Sequence, residues 1–135
     1  MLKNNKAALI AVALLVLVGV VLFVPSATIG ARFHQQFQNT NKVIFKDQRT
    51  GTPVVFTDKA DVEKIIAFVG QYRVARALPQ LDTGWLYNIA FCKDENTVVS
   101  LFYCGKFILN SVAYRAAGGY SQEEFDRFMQ SLMDN

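Results

Sequence analysis

Apolar residues dominate the beginning of the chain without the polar interruptions of a soluble helix. Residues 7–24 are eighteen consecutive positions with no charge and no side-chain hydrogen-bonding group. As a helix, this run would be about 27 Å long, close to the ~30 Å hydrocarbon thickness of a bilayer. A helix that packs on a soluble core usually has a polar stripe, which this run lacks. The pattern predicts an N-terminal transmembrane or signal helix within residues 1–31.

The charges around this run indicate its orientation. Lys3 and Lys6 precede it, and Arg32 is the only charge close to its other end. This asymmetry favours a cytoplasmic N-terminus and an extracytoplasmic C-terminal region. We therefore expect a single-pass protein of the cell membrane, with the membrane contacted through residues 7–24.

Cleavage of the leader is the alternative interpretation. Signal peptides have apolar regions of ~7–15 residues, followed by small residues at the cleavage site. The run here is longer, and cleavage after Ala31 or Ala27 would place Ile29 or Pro25 at the third position back. We favour an uncleaved anchor, with a secreted protein as the alternative.

Residues 32–41 are polar and aromatic without a clean period, and we interpret them as a juxtamembrane linker. We favour a plain linker or a frayed helix; the alternative places Phe33 and Phe37 at headgroup depth. His34, the only histidine, falls here. A lone histidine next to a membrane is expected to be solvated.

A hairpin and a helix follow the linker. Residues 42–46 and 53–57 are rich in β-branched and aromatic residues and are separated by a turn in which Gly51 can take positive φ. Pro53 lacks an N–H donor and is expected at a strand start or on an edge. Asp58 is the predicted N-cap of a helix with one apolar face, made by Val62, Ile65, Ile66, Val69 and Tyr72.

The end of this helix is less sharply defined. Gly70 is a weak point that ends or bends it. Arg73 and Arg76 are predicted in its last part, where basic side chains complement the helix dipole. An anion-binding pair on one helix face is the alternative role of the two arginines.

Two strands with period-two alternation come next, at residues 85–92 and 97–104. Their odd positions are large and apolar, which predicts an inward odd face. A three-residue loop, Asp94-Glu95-Asn96, would pair odd positions with odd ones, with Asn96 left-handed. Cys92 and Cys104 would then lie ~20 Å apart along the strand pair. Because a disulfide needs Cα atoms within ~7 Å, we expect two free thiols.

The last third of the chain predicts further strands and a helix. Residues 107–110 and 112–115 read as short strands, and residues 116–120 as a glycine-containing loop. Ser121 and Glu124 form a capping box before an amphipathic helix at residues 122–133. The order β-β-α-β-β-β(-β)-α predicts an α+β fold, an antiparallel sheet with helices on one face, as a single extracytoplasmic domain at residues 42–135.

Charge excludes one class of partner. Of the 14 lysines and arginines, Lys3 and Lys6 belong to the leader, which leaves 12 against 11 aspartates and glutamates. A nearly neutral domain with interspersed charges lacks the basic surface of a nucleic-acid-binding protein. We expect no nucleic-acid partner.

Groups that could support catalysis are sparse. His34 stands alone, and Cys92 and Cys104 are twelve positions apart, so that neither a metal cluster nor a catalytic triad is indicated. The paired carboxylates at 94–95 and 123–124 fall in a predicted turn and a predicted helix cap. We expect a non-enzymatic protein with no cofactor and no catalytic, cofactor-binding or metal-ligating residues.

Several segments resemble small exported domains of Gram-positive bacteria, most of unassigned function. The segments are VVFTDKADVEKIIAFV, WLYNIAF, the strand pair ending in Tyr114 and the C-terminal helix, within about residues 42–133. Members of those families have a leader or a lipoprotein signal, and this chain lacks the leader cysteine. The resemblance implies a membrane-anchored or exported α+β domain and transfers no functional residues.

The expected function is a non-catalytic, membrane-anchored binding or accessory domain with a protein or peptide partner outside the cytoplasm. A cleaved, secreted inhibitor or effector is the alternative. Aromatic and basic side chains in the second half of the chain are the candidate binding surface: Trp85, Tyr87, Tyr103, Tyr114 and Arg115.

Overall fold

A computed structural model describes residues 2–23, 27–78, 84–117 and 120–134, and in the first helix the side chains of residues 5–19. The helices are α1 (Leu2–Phe23), α2 (Ile29–Arg32), α3 (His34–Gln38), α4 (Lys59–Gly70) and α5 (Gln122–Met133). The strands are β1 (Ala27–Thr28), β2 (Lys42–Asp47), β3 (Pro53–Phe56), β4 (Arg73–Arg76), β5 (Tyr87–Lys93), β6 (Asn96–Tyr103), β7 (Phe107–Leu109) and β8 (Val112–Ala117).

The strands of the described region form one antiparallel sheet in the order β1-β4-β8-β7-β6-β5-β2-β3. Side chains from one face of the sheet and from α2–α5 share a single apolar core. Phe37 of α3 lies edge-on to Phe91 at 5.0 Å, and Phe125 of α5 lies 4.4 Å from Tyr103, measured between ring centroids. The predicted α+β fold with helices on one face of an antiparallel sheet is confirmed.

Strands β5 and β6 form the centre of this core with the predicted register. Tyr87 pairs with Tyr103, Ile89 with Leu101 and Phe91 with Val99, and these odd positions are buried: Tyr87, Ile89, Phe91, Val99, Leu101 and Tyr103. The turn differs from its prediction. A bulge follows Phe91, Lys93 pairs with Asn96, and Asp94 takes the left-handed conformation at φ 54°. The bulge absorbs one residue, so that a two-residue turn gives the same pairing beyond it.

The cysteines lie near opposite ends of this strand pair. Cys92 is buried, Cys104 is half-buried, and the two are not bonded to each other. Cys92 pairs with Thr97, because the bulge shifts the register by one residue.

The first hairpin is confirmed. Strand β2 pairs with β3 from Val43–Phe56 to Lys46–Pro53, and β3 is an edge strand that begins at Pro53. Gly51 has φ 73° in the turn, a conformation in which a side chain would be strained.

Helix α4 begins as predicted, and its end corrects the assignment of two arginines. The Asp58 side chain accepts hydrogen bonds from the amides of Ala60 and Asp61. The helix ends at Gly70, and Arg73 and Arg76 lie on strand β4 rather than on the helix. An odd spacing in a strand places them on opposite faces, so the alternative of an anion-binding pair on one helix face is also wrong.

Residues 27–41 are part of the packed domain. Strand β1 pairs with β4, and the Thr28 hydroxyl accepts a hydrogen bond from the Ala31 amide at the start of α2. Phe33 and Phe37 are 9 % and 6 % exposed in the core, which corrects both the linker interpretation of this segment and the alternative at headgroup depth. Helices of four and five residues are too short to produce a recognisable period.

The C-terminal region follows the sequence pattern closely. Asn110 and Ser111, both at positive φ, form the turn between β7 and β8. Strand β8 continues to Ala117, into the predicted loop at 116–120, of which residues 118–119 lie outside the described region. The Ser121 hydroxyl caps α5 through the Glu124 amide, and the helix has the predicted bounds.

In helix α1, residues 5–18 are exposed. Within the described residues, no helix is both long enough and apolar enough to cross a membrane. The predicted span at 7–24 reaches beyond that region, because the side chains of residues 20–24 lie outside it.

Candidate functional site

A groove of about 1010 Å³ runs between α3 and α4, and we refer to it as the α3–α4 groove. Its floor includes Phe37 and Val62, which are 6 % and 3 % exposed, with the half-buried Ile66 beside them. The amphipathic period of α4 places Val62 and Ile66 on the side that faces α3, while the rim is polar. The result is an apolar slot with a hydrated border.

Two glycines close one end of the groove. A Cβ atom on Gly30 would lie 3.1 Å from the carbonyl oxygen of Gly70, and a Cβ on Gly70 would lie 3.1 Å from the Cα of Gly30. Both distances are shorter than ordinary carbon contacts, and the neighbouring atoms are backbone. The absence of side chains at both positions thus allows α2 and the end of α4 to pack backbone to backbone.

The other end of the groove is held by Asn41. Its side-chain amide donates to Asp94 Oδ1 at 2.9 Å, and its Oδ1 accepts from the Asp94 amide at 2.9 Å. The backbone N–H of Asn41 also donates to the carbonyl oxygen of Cys92 at 2.9 Å. These bonds join the segment after α3 to the β5–β6 turn and place Lys93 in the groove wall.

The rim combines charges of both signs with neutral amides. Lys59 and Glu63 form a weak, exposed ion pair at 3.9 Å across one turn of α4. Lys93 adds a second cation, and His34 and Gln38 line the α3 side. Such a rim can hydrogen-bond to a peptide backbone.

A buried polar network lies at the opposite end of β2 and β5. Asp47 is 2 % exposed and accepts from the Arg49 guanidinium at 2.8 Å and 3.0 Å. Arg49 also donates to the Tyr87 hydroxyl, which donates to Asp126 of α5, both at 3.0 Å. The hydrogen bond from Arg49 lowers the pKa of Asp47, and burial raises the pKa of Tyr87. The network ties the first hairpin to α5.

Three tyrosines fill the space under the N-terminal half of α5. The hydroxyls of Tyr103 and Tyr120 are hydrogen-bonded to each other, and burial raises the pKa of both. Tyr72 has a buried hydroxyl without a hydrogen-bond partner among the described residues, and burial raises its pKa to about 12. Raised tyrosine pKa values keep these groups neutral, which fits a packing role.

The candidate binding residues do not meet on one surface. Tyr87 and Tyr103 are 1 % and 0 % exposed in the core, and Tyr114 is 8 % exposed. Trp85 is half-buried against Phe102, with ring centroids 5.1 Å apart. Arg115 is exposed on β8.

The residues of the α3–α4 groove were not singled out by their sequence pattern. His34 and Gln38 belong to a segment without a period, and Lys59 and Glu63 resemble ordinary solvent-facing helix positions. The Asp58 cap and the apolar spacing after it predict only the α4 wall of the groove. The α3 wall depends on the packing of α3 against the core, which no local pattern in residues 34–38 indicates.

In the described part of the chain, no group of three or more histidine, cysteine, aspartate or glutamate side chains is arranged to hold a metal ion. No family model matches the sequence, and comparisons with curated proteins and with solved structures give no match.

Proposed function

We propose that this protein is a non-catalytic, membrane-anchored domain that binds a peptide or a segment of a partner protein in the α3–α4 groove, outside the cytoplasm. The groove carries the binding part of the proposal. Its volume of about 1010 Å³ is at the upper end of ligand pockets, which are typically ~300–1,000 Å³. An open slot with an apolar floor and an amide-rich rim suits an extended chain better than a small substrate.

Support for the anchor comes from the composition and exposure of α1. Leu9 and Leu15 are 69 % and 72 % exposed, and the neighbouring described side chains are also exposed and almost all apolar. Water around such a helix is unfavourable, by roughly 25 cal/mol per Å² of apolar surface. Insertion of residues 7–24 into a bilayer would remove that cost. Lys3 and Lys6 favour retention of the N-terminus in the cytoplasm.

The packing of residues 27–29 supports an uncleaved leader. Cleavage after Ala31 would remove β1 from the sheet together with Ile29, which is 0 % exposed. It would also remove Gly30, which packs against Gly70. A mature protein that began at residue 32 would therefore lose core packing and one wall of the groove.

Site-specific photocrosslinking tests the binding site in the full chain. A photoreactive amino acid at Gln38, on the groove rim, is expected to capture a discrete partner in cells. The same amino acid at Gln122, an exposed glutamine on α5, is the matched control. Ala67 is an exposed groove residue, so Ala67→Trp should fill the slot without disturbing the core and abolish the adduct from Gln38.

The outcomes separate binding from anchoring. Equal adducts from both positions, or adducts that persist in Ala67→Trp, would contradict the groove as the site. Membrane fractionation and mass spectrometry of the mature N-terminus address the anchor. Recovery in the soluble fraction, or a mature chain that begins after Ala27, would overturn it.

A further inference from the structure

The sheet has a second face, opposite the one on which α2–α5 pack, and we call it the outer face. The helices bury their apolar side chains against the odd positions of β5 and β6. Strand alternation places the intervening residues on the outer face. Strand pairing aligns five of them in one row across β2, β5, β6, β7 and β8: Lys46, Asn88, Phe102, Ile108 and Ala113. All five are half-buried.

The middle of this row is apolar. Phe102 lies opposite Ile108, and Ile108 lies opposite Ala113. The half-buried ring of Trp85 stands edge-on to Phe102, with 5.1 Å between the ring centroids, and widens the apolar area. The solvated face of an antiparallel sheet usually carries polar side chains at such positions. An aromatic pair beside aliphatic residues is instead typical of a surface that a second molecule covers.

The shape of this apolar area favours a helix as the covering element. Four strand spacings of ~4.8 Å separate Ala113 from Lys46, so the row is about 19 Å long. The row is also narrow, because the polar residues Ser100 and Asn110 border it and are hydrogen-bonded to each other at 2.8 Å. A helix of about 13 residues spans this length and presents an equally narrow apolar stripe.

Charge on the outer face has one sign. In the described strands the only acidic residue is Asp47, which is 2 % exposed on the core face. The charged strand residues on the outer face are all basic: Lys42, Lys46, Arg73 and Arg115. Helices α4 and α5, on the opposite side of the sheet, contain five acidic residues against three basic ones. Folding therefore gives a nearly neutral domain a basic outer face.

Lys46 is the cation closest to the apolar middle within the row. It forms no ion pair in the described part of the chain, whereas Lys42 on the same strand pairs with Glu95 at 3.7 Å. An unpaired ammonium group at one end of an apolar row is complementary to an acidic side chain that borders an apolar stripe.

We infer that the outer face binds an amphipathic helix of a partner protein whose apolar stripe is bordered by acidic residues. The apolar stripe packs on Trp85, Phe102 and Ile108, and an acidic side chain pairs with Lys46. Apolar burial supplies affinity, and the opposite charges determine which way the helix lies along the row. This site is separate from the α3–α4 groove, which lies on the helical side of the sheet, and it depends neither on that groove nor on the anchor.

Titration of the full chain with two synthetic helical peptides tests the inference. Both peptides are about 16 residues long, lack tryptophan and have the same leucine stripe, which is bordered by glutamate in one and by lysine in the other. The protein is kept in a non-ionic detergent, and the fluorescence of its single tryptophan, Trp85, reports arrival of a peptide at the row. We expect the glutamate peptide to bind about tenfold more tightly than the lysine peptide, with an affinity that decreases as salt is added.

Two substitutions locate the bound peptide. Ile108→Thr keeps a β-branched side chain but removes apolar surface from the row, and it should weaken binding of the glutamate peptide about tenfold. Lys46→Glu reverses the charge at the end of the row and should weaken binding about fivefold. The matched controls, Val55→Thr on the edge strand outside the row and Lys64→Glu on α4, should leave the affinity unchanged. The urea midpoint of each variant verifies its fold.

Each other result overturns a stated part of the inference. Equal affinity for the two peptides, or binding of neither, would overturn the charge complementarity. Unchanged affinity in both Ile108→Thr and Lys46→Glu would overturn the outer face as the site and leave the proposal for the α3–α4 groove intact. If phosphatidylglycerol vesicles alone changed the Trp85 fluorescence and displaced the glutamate peptide, the occupant would be a membrane surface. If the fluorescence changed with protein concentration alone, the occupant would be a second copy of the chain.

Discussion

Replacing Asp47 by asparagine removes a buried charge while keeping the size of the side chain. The carboxylate is 2 % exposed and accepts three hydrogen bonds from one residue, Arg49. These come from its backbone amide at 2.8 Å, from Nε at 3.0 Å and from a terminal guanidinium nitrogen at 2.8 Å. An asparagine Oδ1 can retain the first two bonds. Its NH₂ group would face the guanidinium donor and stay without an acceptor.

The expected cost is about 2–3 kcal/mol of unfolding free energy. An unsatisfied buried donor costs about 1–3 kcal/mol. Loss of the ion pair adds about 1 kcal/mol or less, because the Arg49 side chain is 55 % exposed and solvent screens its charge. For a domain of this size, the sum corresponds to a decrease of about 1 M in the urea midpoint.

Urea unfolding of the full chain in mild detergent, followed by the fluorescence of the single tryptophan, Trp85, measures this cost. Asp61→Asn, an exposed carboxylate in the first turn of α4, is the matched control. The pH dependence adds a second test. Because the pKa of Asp47 is lowered from 3.8, its stabilising effect is fully present above that pH and is lost as the pH falls through the lowered value.

The difference in stability between wild type and Asp47→Asn should therefore stay constant above about pH 5 and narrow as the pH falls below 3.8. If Asp47→Asn lowered the unfolding free energy by less than about 0.5 kcal/mol at neutral pH, the Asp47 network would contribute no more to stability than an ordinary surface residue. A difference that stays constant down to low pH would show that the carboxylate charge is not its source.

Two paired comparisons in the same unfolding assay test other features. Tyr72→Phe removes a buried hydroxyl that has no hydrogen-bond partner among the described residues, and it should leave the unfolding free energy unchanged or raise it. Tyr87→Phe removes the hydrogen bonds with Arg49 and Asp126 and should lower the unfolding free energy by about 1–2 kcal/mol. Equal effects of the two substitutions would contradict this difference in hydrogen bonding. Gly70→Ala brings a Cβ to 3.1 Å from the Gly30 backbone and should lower the unfolding free energy by about 1–3 kcal/mol. Gly84→Ala brings a Cβ within 4 Å of no atom of the described residues and should be close to neutral. An unchanged stability in Gly70→Ala would refute the backbone contact.

Local patterns predicted much of the fold because their signals are contained in short segments. The alternation of β5 and β6 gave the pairing of Tyr87 with Tyr103 despite the unforeseen bulge. The caps at Asp58 and Ser121 gave the starts of α4 and α5. In each case the residues that form the element also contain the pattern that identifies it.

The sequence by itself determined the class of fold, the central register, the long helices and the apolar character of residues 7–24. The tertiary structure decided the position of β4, which is four residues long and is held by β1 on one side and β8 on the other. It also decided the burial of Phe33 and Phe37 and the formation of the α3–α4 groove. These features join segments far apart in sequence, and their stability comes from packing between elements, which no local period or propensity records.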